Sequence, residues 1–159
     1  MKTNKQLMKQ LDRIIVSEAT LVYTSRVKAA DRPQVKGVQA AYDLFMHTWN
    51  KRTIDFVETA KAMYLNSAHR VIAIITLGTG GFTGTVVDPR LVFFAALRCH
   101  ATGLILAHNH PSGNLKPSSY DEMLTRRIRN IGQELDIRLI DHLIISSEGY
   151  FSMVDEGLI

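Results

Sequence analysis

Short apolar segments alternate along this chain with amphipathic segments, and that alternation limits the possible folds more than any other feature. The short segments are rich in β-branched residues, which favour strands. They cover residues 20–27, 57–65, 71–77, 83–87, 103–107, 137–145 and 150–154. The elements do not follow a strict strand–helix–strand repeat. The sequence therefore predicts an α/β protein with a mixed sheet flanked by helices.

Four segments carry apolar residues at the spacing of an α-helix. They cover residues 1–15, 38–49, 88–99 and 118–135. The third has Asp88 in position to cap the helix and Pro89 in its first turn, an arrangement that favours helix initiation. Residues 91–99 are apolar on every side, which predicts that this helix is buried from several directions.

Length and composition limit the class of protein. The chain has 159 residues, so we expect a helical arm over residues 1–19 and a single domain over residues 20–159. Apolar residues make up 46% and charged residues 21%, as in ordinary globular proteins. The single cysteine, Cys99, excludes an internal disulfide framework and a cysteine-ligated zinc site. No apolar run approaches the ~18 residues of a membrane span, so we expect a cytoplasmic protein that has no signal peptide and does not associate with membranes.

Two histidines at the end of a predicted strand are the first candidate for a functional site. His108 and His110 are separated by one residue, and side chains on a strand alternate with a period of two, so both imidazoles point to the same side. Asp121 follows eleven residues later, after a loop that could return it to the histidines. Two imidazole nitrogens and one carboxylate oxygen, with a fourth position open, are the ligand set of a catalytic zinc site.

The same residues have simpler explanations. A lone His-x-His pattern is common in proteins that bind no metal. Ser118 and Asp121 also have the spacing of a helix start, with serine as the N-cap and an acid in the first turn. For these two residues considered alone, capping is the better explanation.

The complete string of residues resembles a known family. His-x-His followed by seven residues and Ser-x-x-Asp is similar to the signature of the JAMM (JAB/MPN) metalloproteins, at His108, His110, Ser118 and Asp121. The longer string at 108–113, His-Asn-His-Pro-Ser-Gly, resembles the RadC branch of that family, as does Asp-His-Leu-Ile-Ile at 141–145. The resemblance implies a three-layer α/β/α MPN fold, which is cytidine-deaminase-like, and a Zn²⁺ ion held by His108, His110 and Asp121.

The family pattern also includes a glutamate on an early strand, and the resemblance places it at Glu58. Asp55 lies three residues away and is the alternative. The implied chemistry is hydrolysis of a peptide or isopeptide bond, with zinc lowering the pKa of its bound water to about 7. Glu58 would take a proton from that water and pass it to the leaving amine, and the Ser118 hydroxyl would stabilise the oxyanion.

Two functions remain open at the level of sequence. The first is a zinc-dependent hydrolase acting on a peptide or protein substrate that the sequence does not name. The second is a non-catalytic or DNA-repair-associated accessory protein that retains the metal-binding fold. The sequence does not indicate an oligomeric state.

We predict that binding to duplex DNA is weak or absent. The net charge is only +4, and we find no segment resembling the helix-hairpin-helix region of long RadC proteins. The cluster of Arg126, Arg127 and Arg129 is best explained as a solvated helix face. Titration of a labelled duplex at physiological salt should give no selectivity between sequences, whereas a selective dissociation constant of ~10⁻⁸ M or tighter would overturn the prediction.

Overall fold

A computed structural model describes residue 24, residues 27–81 and residues 85–159 of the chain. Within these ranges the helices are α1 (Val38–Thr48), α2 (Pro89–Arg98) and α3 (Ser119–Glu134), with a 3-10 turn at Ala29–Asp31. The strands are β1 (Thr59–Leu65), β2 (Val71–Thr79), β3 (Gly103–Asn109), β4 (Arg138–Ile145) and β5 (Tyr150–Ser152). The predicted arm over residues 1–19 and most of the predicted strand over residues 20–27 lie outside the described residues. Residues 85–87, the described part of the predicted strand 83–87, have no regular secondary structure.

The five strands form one mixed sheet in the order β2-β1-β3-β4-β5. Strand β1 pairs antiparallel with both β2 and β3, β3 pairs parallel with β4, and β5 returns antiparallel to β4. The parallel pair requires a long crossover, and α3 supplies it. The predicted mixed sheet is confirmed.

Helices cover both faces of the sheet, so the core has two parts. On one face α1 buries Phe45 and Trp49 against a cluster that includes Met63 of β1. On the other face α2 and α3 bury residues such as Val92 and Ile128. This arrangement is the predicted three-layer α/β/α fold.

Helix α2 begins as predicted but is less buried than predicted. The Asp88 side chain accepts a hydrogen bond from the backbone N–H of Arg90, and Pro89 occupies the first turn. Burial from several directions was expected, but one face of the helix is open to solvent, because Leu91, Phe94 and Leu97 are 41%, 53% and 55% exposed. In three layers a helix has only one covered side. The sequence of α2 is more apolar than that position requires.

Strand β4 contains an irregularity that changes which side chains face α3. Leu104 pairs with Leu139, but the next residue of β3, Ile105, pairs with Asp141, so Ile140 is an extra residue. A bulge of this kind shifts the alternation of side chains by one position. As a result His142, and not Asp141, lies on the face that α3 covers.

The described residues provide no candidate for a transmembrane helix. In that part of the chain none of the helices has the length and apolar character that a membrane crossing requires.

The last turn of α3 lies so close to the segment that leads into β4 that it has room for no side chain at Gly132. A Cβ atom on Gly132 would lie 2.3 Å from the carbonyl oxygen of Ile137. We expect Gly132→Ala to lower the free energy of unfolding by about 1–3 kcal/mol, because backbone must move to relieve the overlap. Alanine is the better helix former by about 1 kcal/mol, so a purely local effect would have the opposite sign. Chemical denaturation measures the difference.

Gly149→Ala is the matched control, since no atom lies within 4 Å of the position of its Cβ. Its free energy of unfolding should stay within about 0.5 kcal/mol of the parent value. Equal effects of the two substitutions would contradict the steric explanation.

Candidate metal centre

Strand β3 presents the two histidines to the same point. His108 is buried near the end of the strand, and His110 follows directly after it. Their Nε2 atoms lie 3.0 Å apart. The Nδ1 atom of His110 lies 2.6 Å from the carbonyl oxygen of Asn114. Because a carbonyl only accepts, His110 carries a hydrogen on Nδ1, and in the neutral ring its Nε2 atom is a bare lone pair.

Asp121 reaches the histidines from the first turn of α3. Its Oδ1 lies 3.2 Å from His108 Nε2, and its Oδ2 lies 3.8 Å from His110 Nε2. Ser118 caps the helix, because its hydroxyl oxygen accepts a hydrogen bond of 3.2 Å from the backbone N–H of Asp121. The Ser118 hydroxyl also donates to Asp121 Oδ2 at 2.6 Å, and its backbone N–H donates to the same oxygen at 2.7 Å. Capping and a role in the site are therefore compatible, because the Asp121 carboxylate takes part in the cap and also faces the two histidines.

The electrostatic environment keeps Asp121 ionised. Burial raises the pKa of this carboxyl, but the contacts with His108 and the hydrogen bonds from Ser118 outweigh burial and hold the pKa below its ordinary value. The site thus contains a carboxylate and not a carboxylic acid at neutral pH.

The three residues lie close enough together to act as ligands of one metal ion. Each offers one ligand atom, and these atoms all lie within 4.8 Å of one another. When ligand atoms lie about 2.0–2.1 Å from zinc in a tetrahedron, neighbouring ligand atoms are about 3.3 Å apart. The distance of 3.0 Å between the two Nε2 atoms and that of 3.2 Å between His108 Nε2 and Asp121 Oδ1 are close to this value. The contact of 3.8 Å with His110 Nε2 is made by the other oxygen, Oδ2. This donor set could hold a divalent metal ion.

Glu58 lines the same cleft as His110 and Asp121, and Asp55 is not among the residues that line it. Glu58 precedes β1, which begins at Thr59, so the predicted strand start at residue 57 is two residues early. Ala60 pairs with His108, and Glu58 lies two residues before that pair. Asp55 is exposed to solvent.

An open cleft of about 460 Å³ joins Glu58 to the site. Its other lining residues are Thr85, Val86, His110, Ser118, Tyr120 and Asp121. One carboxylate oxygen of Glu58 accepts a hydrogen bond of 3.3 Å from the backbone N–H of Thr85. Glu58 therefore has room on its cleft side for a further hydrogen-bond partner.

Asn109, between the two histidines, holds the segment that carries Glu58. Side-chain alternation turns it to the opposite face of the sheet, where its amide donates to the carbonyls of Ile54 at 2.6 Å and Val57 at 2.9 Å. Its oxygen accepts from the backbone N–H of Thr59 at 2.7 Å. These three bonds fix the backbone on both sides of Glu58.

His142 is a part of the site that sequence reasoning missed. Its Nε2 atom lies 2.9 Å from His108 Nδ1, and its Nδ1 atom lies 2.6 Å from the Thr125 hydroxyl. Burial, followed by the nearby His108, lowers the pKa of His142 to about 3, so the ring is neutral at physiological pH. Alternation along a regular strand would have placed it on the other face, and only the bulge at Ile140 could have indicated otherwise.

Comparisons with known proteins point to one family. The family model described as RadC-like JAB domain matches residues 35–158. A protein of Flavobacterium johnsoniae named UPF0758 protein is 50% identical over 96 residues, which cover 60% of this chain and 42% of that protein. UPF0758 proteins of Thermotoga maritima and Chlorobaculum parvum are 41% identical over 100 residues and 33% identical over 122 residues.

The matched region is a part of each relative. It covers 63% of this chain and 45% of the Thermotoga maritima protein, and 77% of this chain and 55% of the Chlorobaculum parvum protein. The chain thus spans about half the length of these curated relatives.

We predict that Asn109→Leu loosens the segment before β1. The substitution removes all three hydrogen bonds of a fully buried side chain, and each buried group left without a partner costs about 1–3 kcal/mol. The free energy of unfolding should fall by about 3 kcal/mol, and the Thr59 amide should exchange its hydrogen faster. Denaturation and hydrogen exchange followed by mass spectrometry test both effects.

Asn50→Ala is the control, because the exposed Asn50 side chain makes the same kind of bond, at 3.0 Å to the backbone N–H of Arg52. Water can replace that bond, so the cost should stay below about 1 kcal/mol. A loss as large as that of Asn109→Leu would contradict the assigned role of burial.

Proposed function

This chain belongs to the RadC-like JAB domain family, and from that premise we propose that it is a zinc-dependent hydrolase that cleaves a peptide or isopeptide bond. The observation that carries the proposal is the convergence of His108, His110 and Asp121. Two imidazole nitrogens 3.0 Å apart, with an ionised carboxylate 3.2 Å from one of them, bring together three groups whose lone pairs a metal cation would bind. The side chains that meet there are those that the family signature contains.

Zinc is the metal that suits this donor set. Two neutral nitrogens and one carboxylate oxygen are typical of catalytic zinc sites, in which a fourth position stays open. A Zn²⁺ ion held by these residues supplies Lewis acidity that lowers the pKa of a water molecule to about 7 and polarises a carbonyl group. The cleft gives a substrate access to the open side.

Glu58 is the general base in this proposal. A ligand atom has committed its lone pair to the metal, so the base must be a residue outside the ligand set. Glu58 lines the same cleft as His110 and Asp121. It would accept a proton from the attacking water and transfer it to the leaving amine, a contribution on the order of 10²–10⁴-fold.

Ser118 has two possible tasks, and its hydroxyl can perform only one at a time. In this structure the hydroxyl donates to Asp121 Oδ2. The Ser118 backbone N–H donates to the same oxygen and would keep the carboxylate in place if the hydroxyl turned away. We propose that the hydroxyl turns toward the oxyanion as negative charge develops on the substrate carbonyl.

A pair of carboxamide substitutions tests the assignment of the base. Glu58→Gln should retain one equivalent of zinc and lose about 10²–10⁴-fold in hydrolysis, whereas Asp55→Asn should retain both zinc and activity. Metal content is measured by elemental analysis, and activity is measured on a fluorescence-quenched peptide library. The double variant His110→Ala, Asp121→Ala is the control without a site and should contain no zinc.

Each contrary result has a specific meaning. Zinc that persists at one equivalent in the double variant would exclude these ligands. Loss of activity in Asp55→Asn with full activity in Glu58→Gln would reverse the assignment of the base. A parent protein that contains zinc and hydrolyses no member of the library would favour the non-catalytic alternative.

A further inference from the structure

Four groups behind the metal centre form a continuous chain of contacts. It runs from the carbonyl oxygen of Asp121 to the Thr125 hydroxyl at 2.6 Å, and from that hydroxyl to His142 Nδ1 at 2.6 Å. It then continues from His142 Nε2 to His108 Nδ1 at 2.9 Å. Thr125 and His142 are 0% and 2% exposed, so water does not take part.

The Asp121 carbonyl determines which group donates and which accepts in each of these hydrogen bonds. A carbonyl only accepts hydrogen bonds, so the 2.6 Å contact between the two oxygens requires the hydrogen of the Thr125 hydroxyl. Thr125 has no second hydrogen, and its oxygen must therefore accept from His142 Nδ1. A neutral ring has one hydrogen, so His142 Nε2 is a lone pair and accepts from His108 Nδ1.

This order of donors and acceptors determines which nitrogen of His108 carries the hydrogen. With its hydrogen on Nδ1, the neutral His108 ring presents the Nε2 lone pair toward His110 and Asp121. In the opposite direction Thr125 would donate to His142, and His108 would carry its hydrogen on Nε2, where it blocks coordination. That direction also leaves two oxygens 2.6 Å apart with no hydrogen between them.

We propose that Thr125 and His142 are positioning residues that set the tautomer of His108, with the main-chain carbonyl of Asp121 as the fixed end of the chain. Asp121 then contributes twice to the centre, through its carboxylate and through its backbone. The inference rests on the proposed metal-binding function, because the tautomer matters when His108 Nε2 is a ligand. Substitution of a residue that orients a metal-binding histidine typically lowers the affinity for the metal 10–100-fold.

Two substitutions at Thr125 separate positioning from packing. Thr125→Val keeps the size of the side chain and removes the hydroxyl, whereas Thr125→Ser keeps the hydroxyl and removes a methyl group. The dissociation constant for Zn²⁺ is measured in the full chain by competition with a chromophoric chelator, and the melting temperature of the metal-free protein is measured beside it. Thr125→Val should weaken zinc binding ~10–100-fold. Thr125→Ser should bind zinc as the parent does, even though the lost methyl contacts lower its melting temperature.

A merely structural role predicts a different pattern. Zinc affinity would then follow the melting temperature across the parent, the valine variant and the serine variant. Equal zinc affinity in the valine variant and the parent would also overturn the inference.

A second measurement needs no metal and separates this inference from the proposed function. In metal-free protein labelled with ¹⁵N-histidine, long-range proton–nitrogen spectra should show the His142 hydrogen on Nδ1. A hydrogen on Nε2 of His142 would contradict the inferred order of hydrogen bonds, whatever the affinity of the protein for zinc. If the parent protein bound no zinc and His142 carried its hydrogen on Nδ1, the proposed function would fail and the hydrogen-bond chain would be supported.

Discussion

The site depends on the close approach of two imidazole rings and one carboxylate. His108 Nε2 lies 3.0 Å from His110 Nε2 and 3.2 Å from the Asp121 carboxylate, in a largely buried position. A divalent cation between these ligand atoms would bind all three groups at once. The surrounding bonds preserve this arrangement. The Asn114 carbonyl holds the hydrogen of His110 away from the centre, and Ser118 directs two donors to the outer oxygen of Asp121.

Elements that stabilise the fold are also the elements that build the site. The capping box of α3 would be expected in any protein with this helix, yet here its acidic member faces both histidines. Asn109 likewise connects β3 to the backbone on both sides of Glu58. Shared roles of this kind mean that the geometry of the centre depends on bonds that also contribute to stability. A substitution at such a position therefore needs a measurement of stability beside any measurement of function.

Local patterns in the sequence predicted the mixed sheet and its flanking helices, whereas the three-layer arrangement and the roles of the signature residues were implied by the resemblance to the family. Period-two spacing correctly placed His108 and His110 together, and the Asp88-Pro89 pair correctly marked the start of α2. Non-local effects were not predictable. The bulge at Ile140 arises from the pairing of β4 with β3, and it alone brings His142 to the site. The exposure of α2 depends on the number of layers in the fold, which apolar content does not reveal.

Diffraction at the zinc absorption edge tests the central claim most directly. Crystals of the protein grown with Zn²⁺ should give one strong anomalous peak about 2.0–2.2 Å from His108 Nε2, His110 Nε2 and an oxygen of Asp121. The peak should have an open side toward the cleft that Glu58 lines. A strong peak coordinated by other residues, with none between these three side chains, would contradict the account.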